Sequence, residues 1–157
     1  MTDHLRSLIV SISGTAADAR LLDIVSQLVH RHPVTITLVY VVEVAQSMPL
    51  DVELPVEQKR GEEALQCAEH LATHALHRKL DHVQTELLQA RSVGAAIVDE
   101  AIDRGADAIA LAALNHRTYG RTTMGESVDY VLKNAPCEVF LIRMASRQPE
   151  PEFDTWR

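Results

Sequence analysis

Two cysteines in 157 residues, Cys67 and Cys137, form neither a disulfide framework nor a C-x-x-C pair, which fits a reducing compartment. Aromatic residues are scarce at 4%, so the apolar mass is Ala, Val, Leu and Ile. Small and β-branched side chains suit a sheet sandwiched between helices. Positive charge is in deficit, with 15 Lys and Arg against 22 Asp and Glu and a formal net charge of -7. An acidic chain repels a phosphate backbone, which excludes general nucleic-acid binding. No apolar stretch approaches the roughly 20 residues that a membrane span requires. The opening residues Met1 to Arg6 lead straight into a short apolar run with no cleavage site, as expected of a cytoplasmic chain. G-x-x-x-x-G-K-[ST] and G-x-G-x-x-G are both missing, which removes P-loop and dinucleotide-binding functions.

What is present is an ordinary globular composition, 46% hydrophobic and 24% charged, at a length suited to one domain. Leu8 to Ile12 is a compact apolar run that stops at Ser13-Gly14-Thr15, the pattern of a buried strand. Thr15 and Asp18 give a capping-box-like start to a helix whose Leu21, Ile24, Val25 and Leu28 recur at helical spacing. Thr35 to Val44 is rich in β-branched residues and reads as a second strand. After a proline-containing loop, a long helix is expected from Val56 to Lys79, with Leu65, Ala68, Ala72, Ala75 and Leu76 on its buried face. Val83 to Ala90 reads as a third strand. Ser92 caps a third helix with the stripe Val93, Ile97, Val98, Ala101 and Ile102, and Gly105 stops it. Ala106 to Leu114 reads as a central strand covered on both faces. A polar loop from Asn115 to Gly125, a short helix from Glu126 to Lys133 and a last strand from Val139 to Ile142 complete the order.

Strands alternating with helices predict an α/β fold: a doubly wound, five-stranded parallel sheet with helices on both faces. A single domain is expected over residues 1–145, with a flexible tail over 146–157. Ligands of such sheets bind beyond the carboxyl ends of the strands, at the switch point, here after the first and fourth strands.

Two stretches resemble the universal stress protein family. Gly105-Ala106-Asp107-Ala108-Ile109-Ala110-Leu111 is similar to the family's "g-a-D-l-i-v-m". The run from Gly125 through Ser127, Val128, Tyr130 and Val131 to Ala135-Pro136-Cys137-Glu138-Val139 is similar to "G-S-V-a-e-y-V-l-r-h-a-p-C-P-V". The resemblance, over about residues 5 to 143, implies an adenine-nucleotide alpha-hydrolase-like fold. It also implies ATP or AMP as the ligand to test, because ATP-binding members carry G-x2-G-x9-G-[S/T] after the fourth strand. At that spacing this chain has Ala112, Asn115, Gly125 and Glu126, so one position in four matches. Ser13 stands where such members have an aspartate, and Val41 is retained where a backbone faces adenine. Ser13, Gly14, Val41, Ala112, Asn115, Arg117, Gly125, Glu126 and Ser127 are therefore the candidate nucleotide site. Glu126 is the substitution with the largest expected effect. Two like charges about 4 Å apart cost roughly 4 kcal/mol at an effective dielectric of 20, nearly a thousandfold in affinity.

The function expected is a non-catalytic regulatory module of the stress response, with weak or absent ATP binding and docking to a partner such as a membrane transporter. Slow nucleotide hydrolysis is the alternative. No catalytic residue is identified: His116 lacks a partner, and Ser11 to Thr15 lacks the second glycine and the D-S pair of an adenylating S-G-G-x-D-S loop. Cys67, His70, His74 and His77 are expected on the exposed face of the second helix, without a complete metal set. The resemblance also implies a homodimer through Val139, Phe140, Leu141 and Ile142 of the last strand, an apolar edge that needs a cover.

Overall fold

The computed structural model describes residues 5–29, 33–76, 79–113, 116–118, 121–123 and 125–144. Strands β1 (Ser7–Ser11), β2 (Thr35–Glu43), β3 (Val83–Ala90), β4 (Ala108–Ala113) and β7 (Glu138–Arg143) build one parallel sheet in the order β3-β2-β1-β4-β7. The order reverses at β1, which has β2 on one side and β4 on the other, so the switch point lies between β1 and β4. Helices α1 (Ala17–Val29) and α2 (Pro55–His70) cover one face, and α3 (Val93–Arg104) and α4 (Glu126–Asn134) the other.

The central strands are apolar on both sides because both are covered. Leu8 and Val10 join the α1/α2 layer while Ile9, between them, joins the α3/α4 layer; none of the three is accessible to solvent. Asp107 explains its place in the strand-entry motif. Its carboxylate accepts from the Arg6 and Ser7 amides at 2.9 and 3.0 Å, tying the start of β1 to the start of β4. Gly61 lets α2 lie close on the sheet, since a Cβ there would meet Leu87 Cδ1 at 2.5 Å and Tyr40 Cδ1 at 2.7 Å.

Three local expectations are corrected. The second helix does not run to Lys79: after His70 it widens into a π-turn over Leu71–Ala75, closed by Leu76 N to Leu71 O at 3.0 Å, and Leu76 is extended. The wider turn carries Ala75 off the 3.6-residue stripe, so it is exposed rather than buried. Ile102 is likewise 57% exposed, at the margin of the α3 stripe opposite the Ile97 side. The segment expected as a polar loop after β4 contains an antiparallel hairpin, β5 (His116–Thr118) with β6 (Arg121–Thr123). Leu114, Asn115, His77 and the tail from 145 lie outside the described residues. No helix among the described residues is long and apolar enough to cross a membrane.

Candidate functional site

At the carboxyl ends of the strands, over the switch point, lies an open cleft of about 270 Å³. The end of β1 contributes Ser11, Ile12 and Ser13; β2 contributes Tyr40 and Val41; β4 contributes Leu111 and Ala112. The helix-bearing side is closed by Val93 at the start of α3 and by Gly125, Ser127 and Val128 at the start of α4. The sequence-derived candidates Ser13, Val41, Ala112, Gly125 and Ser127 thus meet in one place. Among the described lining residues none carries a charge.

The β1–α1 turn is organised by a buried carboxylate. Asp18 is 7% exposed and accepts from the Ser13 amide at 2.9 Å, the Gly14 amide at 2.8 Å and Ser13 Oγ at 2.9 Å. Ser13 Oγ also shares a 2.7 Å bond with Thr15 Oγ1. The carboxylate missing from position 13 is thus present nearby, but it is turned onto the turn's own backbone and does not line the cleft. Gly14 does not line it either. It faces Ala64 and Tyr40, and borders a separate small groove between α1 and α2.

The opposite wall is the entrance of α4. Gly125 is its N-cap, with φ 90° and ψ 154°, and it offers no side-chain hydrogen bond to the first turn. A side chain disfavours that φ whatever the space available. The amides of the first turn lack intrahelical acceptors, and Ser127 and Val128 in that turn border the cleft. Glu126, the first helical residue, is exposed and is not part of the cleft wall. The like-charge penalty expected of Glu126 holds only where its carboxylate approaches a phosphate; here the side chain is exposed, while Gly125 and Ser127 on either side of it line the cleft. Arg117 lies in β5, within the hairpin.

Like Ser11, Ile12 and Val128, the residues Tyr40, Leu111 and Val93 line the cleft without being among the candidate site residues. Each adjoins a signal that was legible: Tyr40 precedes Val41, Leu111 precedes Ala112, and Val93 follows the Ser92 cap, whose Oγ accepts from the Ala95 amide at 3.4 Å. Elsewhere, Cys67, His70 and His74 are exposed on α2 and its π-turn, the two imidazoles stacked with centroids 5.1 Å apart. Cys137 is half-buried at the entry to β7; burial, then the charges of Asp107 and Glu138, push its thiol up from the ordinary value.

The doubly wound parallel sheet, with a cleft at its switch point beside a glycine-capped helix, defines the α/β fold class. The chain belongs to the universal stress protein family, whose model matches residues 4–143. Solved structures agree on the fold. The universal stress protein of Archaeoglobus fulgidus superposes with a TM-score of 0.69 at 16% identity, over 87% of this chain and 98% of that one. The same organism's protein in complex with dAMP gives 0.66 at 16% identity, over 87% and 97%. A Lactobacillus plantarum universal stress protein gives 0.67 at 21% identity, over 88% and 97%. No curated protein matches this chain.

Proposed function

We propose that this protein is a non-catalytic regulatory module of the stress response whose cleft holds an adenine nucleotide weakly, a monophosphate in preference to ATP. Its main support is the uncapped start of α4, whose Ser127 and Val128 border the cleft and can offer amides to one anionic group. The adenine end would lie against Tyr40 and Val41. The cleft, of about 270 Å³, lies near the lower end of the roughly 300–1,000 Å³ of small-ligand sites. Ala112 adds a methyl group where ATP-binding members approach their phosphates with glycine. The A. fulgidus protein solved with dAMP is a precedent for a monophosphate in this fold. Hydrolysis is disfavoured because the described cleft residues include neither a carboxylate pair nor a lysine. Output would pass through a homodimer pairing β7 with its mate, and through a protein partner such as a transporter.

Calorimetric titration with adenosine, AMP and ATP tests this. The expected result is AMP binding near ~0.1 mM, with ATP weaker and no phosphate released. ATP binding at low micromolar or tighter would contradict the preference, and steady phosphate release would favour the slow hydrolase instead.

A further inference from the structure

The sheet has a second edge, far from β7. Among the described residues β3 pairs only with β2, and none of its eight residues is buried. The His82 and Ala90 carbonyls accept from the Ile36 and Val44 amides at 3.0 and 2.8 Å. Peptide groups alternate sides along a strand, so the even-numbered residues face β2, and Val83, Thr85 and Leu87 turn their N–H and C=O groups outward. Beside this row runs a groove of about 460 Å³ between β3 and α2. Glu62, Gln66 and Glu69 form its α2 wall, Leu65 and Leu87 its apolar part, and Glu86 its rim.

We propose that this edge is a docking surface for an extended basic segment of a partner protein, which adds to β3 as a further strand and sets Lys or Arg side chains against Glu62 and Glu69. Main-chain bonds to an exposed edge supply affinity in such strand addition, and alternate side chains supply specificity. Charge selects the occupant. The groove lining includes three carboxylates and, among the described residues, no lysine or arginine. The neighbouring Arg104 is already held by Glu86 at 3.2 Å, by Gln84 at 3.1 Å and by Glu100. A second copy of this chain would bring the same carboxylates to the contact. The chain's own end, residues 145–157, carries Glu150, Glu152 and Asp154 against Arg147 and Arg157, and it follows β7 at the opposite edge.

Acidic residues also guard strand edges against aggregation, and the test separates that role from docking. The probe is a short acetylated, amidated peptide alternating Lys and Val, added to the full chain and followed by amide hydrogen exchange and calorimetry. Expected are slowed exchange at Thr85 and Leu87 and an affinity that falls with salt. Glu62→Lys with Glu69→Lys should weaken binding about tenfold. Thr85→Pro removes an N–H that points away from β2, so the fold should survive while peptide protection at Leu87 is lost. If Thr85→Pro fails to fold, the charge-reversal pair decides alone. The proposal is overturned by unprotected Thr85 and Leu87, by equal binding of a Glu-for-Lys peptide, by an unaffected charge-reversal variant, or by self-association through β3.

Discussion

The two walls of the cleft treat their backbone amides in opposite ways. On the β1–α1 side, the Ser13 and Gly14 amides are both satisfied by Asp18, at 2.9 and 2.8 Å. On the α4 side the N-cap is Gly125, which has no side chain to offer the amides of the first helical turn. One wall is closed upon itself, and at the other the N-cap residue supplies no acceptor. For the proposed nucleotide the difference implies an orientation: its anionic end would lie at α4 and its uncharged end against the strand ends of β1 and β2. The closed wall is a matter of stability, and the open wall is a matter of affinity.

Removing the acceptor of the closed wall should have the largest effect. Asp18→Ala removes the buried acceptor of three hydrogen bonds from the exposed Ser13 and Gly14, each worth about 0.5–1.5 kcal/mol net. The expected loss is about 3 kcal/mol in chemical denaturation, with Asp18→Asn in between. A loss below about 1 kcal/mol would mean that the turn holds without its carboxylate, and the contrast between the walls would disappear.

Gly125→Ala probes the open wall. A Cβ there meets nothing within 4 Å, so the cost is conformational, from φ +90° alone. About 1–2 kcal/mol of stability should be lost. As the helix start is re-aimed, AMP affinity should fall about tenfold while adenosine affinity holds. An equal loss for both ligands would show that the amides of α4 do not carry the phosphate.

Most of the scaffold was legible in the sequence, because buried strands and capped helices declare themselves locally. Val83–Ala90 stands at its expected bounds, and Ser92 and Gly105 cap α3 as their types require. The features that escaped depend on geometry beyond a local period. The π-turn at Leu71–Ala75 follows the same apolar stripe as an α-helix would, yet it shortens α2 and exposes Ala75. The β5–β6 hairpin is built from polar residues with no alternating apolar face to betray it. Of the candidate residues, Ser13, Val41, Ala112, Gly125 and Ser127 line one cleft. Spacing did not reveal that Asp18 would fold back onto the turn, because that role needs the path of the loop and not only the residue types.

Glu126 sharpens the comparison last, because it stands at the open wall without lining it. A carboxylate within 4 Å of a phosphate would weaken binding nearly a thousandfold, from roughly 4 kcal/mol at an effective dielectric of 20. An exposed carboxylate at the start of α4 acts instead through water and salt, over a longer path. It also favours the positive end of the helix, by about 0.3–1 kcal/mol. Glu126→Gln should therefore raise AMP affinity less than about threefold and lower stability by less than about 1 kcal/mol. A hundredfold gain in titration would show that the side chain swings into the cleft, and the open wall would then be guarded by its own charge after all.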